Sequence, residues 1–279
     1  MSIILRINTD NYSDFLGGLK PAEINDALIS SLERIAKEWR HKFDNPKAMS
    51  GAEAIFHKLV EIGKSDQKVQ LQARSLFGLA KVNSRMGNEQ LEIKYALDAL
   101  VVYSTDKKPT WSNFSLPILI RLFLGNARAA DGVERYREAY ALAKEIYNRD
   151  LMAQACYGLG NARAADGVER YLEAYALAKG IGNRDLMAQA CVGLGNARAA
   201  DGVERYREAY ALAKGIGNSI MQIKALIGVG RACRDSTEKT KAYTEALRLA
   251  KITRNPGLIR KAEQALKSWM NYLRTRGRK

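Results

Sequence analysis

Apolar residues fall three and four positions apart along most of the chain, the spacing that gathers them on one face of an α-helix. From Arg184 the run is Leu186, Ala190, Cys191, Leu194 and Ala197, and Asp201-Gly202 closes it. A second run holds Val203, Tyr206, Ala209, Tyr210, Leu212 and Ala213 and ends at Gly215-Ile216-Gly217-Asn218. Asp-Gly is a turn signal, and Gly or Asn after an apolar run stops a helix. The pattern predicts a helix hairpin. Asn148, Asn183 and Asn218 stand where the next helix begins, with Asp150 and Asp185 in its first turn. An Asn side chain there accepts from free N–H groups, and a carboxylate suits the positive end of the helix dipole.

The hairpin is written several times. Gly125–Leu159 and Gly160–Leu194 differ at four of 35 positions: Arg137/Leu172, Glu145/Gly180, Tyr147/Gly182 and Tyr157/Val192. A third copy opens at Gly195, stays nearly identical through Asn218 and then drifts. Self-similarity at this period signals hairpins that bury their apolar faces against one another. The expectation is an all-α solenoid of stacked antiparallel helix hairpins. N-terminal of the array, Pro21–Phe43 carries Ile24, Leu28, Leu32, Ile35, Trp39 and Phe43 at helical spacing, and Ala52–Ile62 forms a second apolar helix. This gives a divergent helical capping region over 1–65, a repeat array over 66–255 with the near-identical units in 125–218, and a basic C-terminal helix and tail over 256–279. Ser104–Asn113, with Pro109, reads as a loop that shifts the register between the early hairpin and the identical ones.

Composition agrees with helix. The chain is 47% hydrophobic and holds five prolines in 279 residues. No run reaches the ~18–20 apolar residues of a membrane span, so no membrane association is expected. The opening MSIILRINTD lacks a basic n-region and a long apolar h-region, so no signal peptide is expected. Cys156, Cys191 and Cys233 read as small packing residues. Their odd number, the lack of CxxC and the presence of only His41 and His57 argue against a disulfide framework or metal site. A reducing, cytoplasmic location fits. The net charge of +15 is uneven: residues 251–279 carry nine Lys/Arg and one Asp/Glu. The solenoid is near balance and its C-terminal end is basic.

The chain resembles the tetratricopeptide repeat family. Leu124-Gly125-Asn126-Ala127, Leu159-Gly160-Asn161-Ala162 and Leu194-Gly195-Asn196-Ala197 match its first helix. Ala-Leu-Ala-Lys followed by Ile-x-Asn matches its second, at Ala141, Ala176 and Ala211. An earlier unit has Leu79-Ala80, Gly87, Ala96 and Ala99, and a divergent one runs from Val229-Gly230 to Lys251. The resemblance covers about residues 66–255 and implies a right-handed α-solenoid with a concave groove. Arg128, Arg163 and Arg198 stand where the family has an aromatic residue, and Cys156 and Cys191 where it has a Trp-like one.

In that family the concave face accepts extended or helical peptides. The resemblance therefore implies a protein-interaction scaffold whose groove presents Asn126, Asn161, Asn196 and Arg231, flanked by Gln154, Gln189 and Tyr157. An Asn amide both donates and accepts, so a row of them can hold a peptide backbone. The opposing reading has the Asn side chains bridge hairpins. Arg128, Arg163 and Arg198 are a second ladder, either a stripe for an acidic partner or ion pairs with Glu134, Glu169 and Glu204 or Asp131, Asp166 and Asp201. The C-terminal segment pairs Leu258, Ile259, Ala262, Leu266, Trp269, Met270 and Leu273 with Lys261, Lys267, Arg274, Arg276, Arg278 and Lys279. It reads as a capping helix or as a basic arm for nucleic acid. End-to-end self-association of near-identical repeats is a third reading. GxxxxGK[ST], HExxH and the nucleophile elbow are all missing from the sequence, so neither catalysis nor a cofactor is expected.

Overall fold

The computed structural model describes residues 7–19, 23–42, 45–106, 115–127, 131–162, 166–197 and 201–276. All the regular structure in them is helical, and consecutive helices pack on one another as expected of an α-solenoid. The chain divides into two compact units, Met1–Arg135 and Tyr136–Lys279.

The first unit contains α1 (Tyr12–Gly17), α2 (Asp26–Trp39), α3 (Pro46–Ser65), α4 (Val69–Met86), α5 (Glu89–Ser104) and α6 (Ser115–Asn126). Asn25 and Asn45 cap α2 and α3 by accepting from the Leu28 and Ala48 N–H groups. Pro46 opens α3, where its missing N–H costs nothing. Gly87 ends α4 in the left-handed conformation, at φ 78°. Leu32, Ile55, Phe56, Leu59, Leu79 and Val82 form the centre of one continuous apolar core. Asn83 is buried there but satisfied: its amide donates to Glu53 Oε1 (3.2 Å) and to the Leu79 carbonyl (3.1 Å), and its oxygen accepts from Asn88 (3.1 Å). The stretch read as a loop from Ser104 belongs to α5 at its first residue, and residues 107–114 lie outside the described residues.

The division between units falls within α7 (Gly132–Glu145). The second unit continues through α8 (Arg149–Asn161), α9 (Gly167–Gly180), α10 (Arg184–Asn196), α11 (Gly202–Gly215), α12 (Ser219–Ala232), α13 (Ser236–Thr253) and α14 (Pro256–Arg276). Asn148, Asn183 and Asn218 cap α8, α10 and α12, each accepting from the N–H three residues on at 3.0 Å. Gly182 and Gly217 take φ 70° in the turns between hairpins, and Tyr147 takes φ 53° at the matching place in the first copy. Among the described residues no helix is long and apolar enough to cross a membrane.

Candidate binding groove

The two glycines of each Gly-Leu-Gly-Asn motif have a steric task. The Tyr171 ring of α9 lies against Gly160 of its own hairpin and Gly193 of the next. A Cβ on either glycine would sit 2.6 or 2.3 Å from ring carbons, far inside ordinary contact distance. Tyr206 lies in the same way between Gly195 and Gly228, at 2.6 and 2.2 Å. Each tyrosine is thus a rung wedged between successive first helices. Its phenol ends at the motif's Asn: Tyr171 donates to Asn161 Oδ1 and Tyr206 to Asn196 Oδ1, both at 2.8 Å. The Asn side chains therefore help hold their own hairpins while staying exposed. Burial, helped by Tyr157, pushes the Tyr171 phenol up to about 12.

Polar links also join one hairpin to the next. The Asp150 carboxylate accepts from Gln154 (2.6 Å) in its own helix and from Asn183 (2.8 Å) in the following turn. Asp185 repeats this with Gln189 (2.7 Å) and Asn218 (2.7 Å). Gln154 and Gln189, expected beside the ligand, are thus engaged within the stack. Tyr140 donates to Glu173 (2.5 Å) and Tyr175 to Glu208, one repeat further on. Arg170 bridges Asp166 (2.6 Å) and Glu173 (3.0 Å), and Arg205 bridges Asp201 (2.6 Å) and Glu208 (3.3 Å). Asp131 pairs with Arg135 at 2.6 Å. The aspartates considered as partners of the Arg128 ladder are thus occupied by the arginines four residues after them, and Glu204 pairs with Arg207 at 3.2 Å. Arg128, Arg163 and Arg198 themselves lie outside the described residues. Cys156 and Cys191 are buried, and burial followed by a glutamate neighbour pushes both thiols up, Cys191 to about 12. They pack rather than react.

A groove of about 1120 Å³ opens within the second unit, along α8, α10, α12, α13 and α14. Tyr157, Val192 and Asn196 line it from α8 and α10, and Met221, Lys224, Ile227 and Arg231 from α12. Arg234, Lys239 and Tyr243 continue the wall, and Lys261, Trp269, Tyr272 and Leu273 of α14 close it. Five cations and four aromatic rings face this space, and no Asp or Glu stands among the described lining residues. Nearby acids are engaged elsewhere. The Glu238 carboxylate accepts from Arg207 Nη2 with both oxygens (2.7 and 2.8 Å), from Arg207 Nε (3.0 Å) and from the Cys233 thiol (3.0 Å). Asp235 accepts from the Thr237 N–H at 2.9 Å.

The C-terminal helix does two things. Leu258 and Ala262 are buried against the last hairpin, as a cap requires. Further along, Trp269 donates from Nε1 to Thr240 Oγ1 (2.8 Å), stacks on Tyr272 (centroids 5.3 Å apart) and has Lys239 Nζ 4.8 Å from its ring centre. This fixes an aromatic and cationic wall over the groove. Of the expected ligand-facing residues, the groove brings together Tyr157, Asn196 and Arg231. Asn161 does not line it, and Asn126, exposed and with a partner of its own, belongs to the first unit. Lys267 and Arg274 are exposed on α14, and Arg278 and Lys279 lie outside the described residues, as does the Arg276 side chain. Lys224, Arg234, Lys239, Lys261, Trp269 and Tyr272 were not among the sequence candidates for a ligand-facing groove. Their signal was the interleaving of basic and aromatic residues after Lys224. Among the described residues no group of three His, Cys, Asp or Glu is placed to hold a metal ion.

The fold is similar to that of aspartyl phosphate phosphatase F from Bacillus subtilis, with a TM-score of 0.52 and 14% identity over 94% of this chain and 79% of that one. BtubC (BKLC) from P. vanneervenii matches at a TM-score of 0.39 and 14% identity, over 90% of this chain and 92% of that one. A circular tandem repeat protein with novel repeat topology matches at 0.22 and 15%, over 95% of this chain and 61% of that one. At those scores the last two carry no weight. No family model and no curated protein matches the chain. The first similarity establishes a helical-repeat fold and nothing about activity.

Proposed function

We propose that this chain is a tetratricopeptide-type interaction scaffold without catalytic activity. Its groove in the second unit holds an extended or helical peptide segment rich in carboxylates. The carrying observation is the lining itself, with five cations, four aromatic rings and no acid among the described residues. Desolvating Lys224, Arg231, Arg234, Lys239 and Lys261 together is costly unless a ligand brings negative charge. Arg231 and Arg234 suit carboxylates because a guanidinium can donate two parallel hydrogen bonds. Trp269, Tyr272 and Tyr243 supply rigid, broad contact area beside Met221 and Ile227, the composition of an energetic centre in a protein interface. Asn196, its oxygen held by Tyr206, offers its amide N–H groups to a peptide carbonyl.

The test is selection from a displayed random-peptide library on the intact chain, followed by direct affinity measurement. Peptides enriched in Asp or Glu beside an aromatic or aliphatic residue are expected. Arg231→Glu combined with Lys261→Glu should weaken them by about tenfold or more, since each close charge pair is worth at least roughly 1.4 kcal/mol. Selected peptides with no acidic bias, or unchanged affinity in the double variant, would overturn the reading. So would a ligand that proves to be single-stranded nucleic acid, bound through the same cations and rings and lost on nuclease treatment.

A further inference from the structure

Three residues related by the repeat period meet in the groove. Tyr157, Val192 and Ile227 stand 35 residues apart, on α8, α10 and α12, and all three line it. Their setting is the same in each helix. Ala155, Cys156, Gly158, Leu159 and Gly160 are buried around a half-buried Tyr157. Val192 is the half-buried position within residues 190–195, and Ile227 within residues 225–230. Packed helices run about 8–10 Å apart, so the three side chains form a row across the stack at roughly that interval. Each is the side chain through which its stretch of helix reaches the groove.

The row is also where near-identical copies part. Gly125–Leu159 and Gly160–Leu194 differ at four positions, and Tyr157/Val192 is one of them. Arg137/Leu172 is exposed on α7 and α9, Glu145/Gly180 is exposed at the ends of those helices, and Tyr147/Gly182 is exposed in the turns that follow. None of these lines the groove among the described residues. Slots and caps repeat from copy to copy: Gly158, Gly193 and Gly228 each face a tyrosine ring, and Asn148, Asn183 and Asn218 each cap a helix. The backbone is thus held alike, and the exchange of a phenol for an isopropyl group becomes relief in the groove wall. Tyr157 rests against the Tyr171 ring, with centroids 5.9 Å apart. Val192 is a low point between two larger side chains.

Charge changes along the same row. Tyr157, Val192 and Asn196, from α8 and α10, are uncharged, whereas Lys224, Arg231, Arg234, Lys239 and Lys261 come from α12 onward. Ile227 stands at the junction, on the helix that carries Lys224 and Arg231. We propose that Tyr157, Val192 and Ile227 select the apolar side chains of the ligand, and that the low point at Val192 takes the bulkiest of them. This rests on the peptide-groove reading and adds an order to it: the apolar anchor lies to one side of the carboxylates in the ligand's sequence, not interleaved with them. A bulky anchor there regains the dispersion contacts that a short side chain leaves unmade.

The test repeats the displayed-peptide selection on the intact chain carrying Val192→Tyr or Tyr157→Val. Each variant gives one copy the residue that its neighbour already carries on the same backbone, and helical circular dichroism confirms folding. Leu172→Arg, the matching exchange outside the groove, is the control. The parent chain is expected to select a bulky apolar residue to one side of an acidic run. Val192→Tyr should weaken that peptide by about tenfold or more and select smaller anchors, since pockets discriminate by this much on side-chain size. Tyr157→Val should admit a second bulky residue beside the first. The acidic run should persist in both, and Leu172→Arg should change neither affinity nor selection. Acidic peptides whose anchors ignore both Val192→Tyr and Tyr157→Val overturn this inference and leave the groove reading standing. So do interleaved acids and apolar residues, or an effect of Leu172→Arg as large as that of Val192→Tyr. Peptides with no acidic bias overturn the groove reading, and this inference with it.

Discussion

In the first unit the large, fully buried side chains include Phe56, Leu32, Ile55, Leu59, Leu79 and Ile118. In the repeat array the fully buried positions are largely Ala and Cys: Cys156, Ala174 and Ala190 in one layer, and Cys191, Ala209 and Ala225 in the next. The first unit is held by apolar volume, each large aliphatic group stabilising by roughly 1.5–3 kcal/mol. The array also buries large groups, Leu159, Leu194 and the tyrosine rungs among them, but sets small ones between them. It relies on fit, with a tyrosine rung in a glycine slot, and on hydrogen bonds that recur at the repeat period, such as Asn183 to Asp150 and Asn218 to Asp185. Stacking through small residues brings helices close, which makes a repeat easy to copy. It also leaves few side chains to give the copies different surfaces. Distinct chemistry collects where the copying stops, at α12 to α14, and the groove is there.

The sharpest way to break this comparison is to remove a rung. Tyr171→Ala should cost about 3–5 kcal/mol, as truncation of a buried aromatic residue does, and Tyr171→Phe only about 1 kcal/mol for the lost bond to Asn161. Denaturant melts of the two variants measure this. Equal costs would mean that the hydroxyl, not the fit of the ring, holds the stack. Filling a slot comes next: Gly193→Ala places a methyl group 2.3 Å from Tyr171 and should cost about 1–3 kcal/mol. Gly78→Ala in the first unit meets Phe56 at 2.4 Å and tests whether a volume-packed core relaxes more readily around the same intrusion.

Alkaline pH should then drive the units in opposite directions. The Tyr140 and Tyr175 phenols are pushed up to about 12, first by their bonds to Glu173 and Glu208 and then by burial. The folded array therefore holds protons that the unfolded chain loses from about pH 10. Stability present below pH 10 is lost as pH climbs towards 12. Lys81 is shifted the other way, from 10.5 to about 8, first by burial and then by Arg40, Lys37 and Arg85. Between those values the unfolded chain carries the extra proton, so stability of the first unit rises with pH. Each effect is on the order of 1–2 kcal/mol after solvent screening. Hydrogen exchange resolved by segment separates them, and a common direction in both units would refute the assignment. The smallest effect compares two copies directly. Tyr147 holds φ 53° where the later copies have Gly182 and Gly217, so Tyr147→Gly should stabilise by up to about 1 kcal/mol. An unchanged or lower melting temperature would show that the left-handed turn carries no strain there.

Much of the scaffold was legible in the chain. Helix starts at Asn148, Asn183 and Asn218 and the break at Asp201-Gly202 depend on local backbone chemistry, so they could be read from neighbouring residues. The site was less legible. Asn196, Arg231 and Tyr157 line the groove, whereas Gln154 and Gln189 are bonded to Asp150 and Asp185 one turn earlier, which compete for the same amide. The C-terminal helix was read as a cap or a basic arm. Its burial at Leu258 and Ala262 supports the cap, while Trp269 and Tyr272 make it a wall of the groove.

By itself the sequence determined the all-helical hairpin repeat, since periodicity, turns and caps are properties of a few adjacent residues. Only tertiary structure decided what the repeated motif was for. The glycines of Gly-Leu-Gly-Asn become slots only when the tyrosines of two hairpins arrive beside them. Likewise Lys224, Arg231, Lys239 and Lys261 become one unneutralised field only when α12, α13 and α14 are packed together. Coulomb energy and steric fit depend on separation in space, which a single line of residues does not contain.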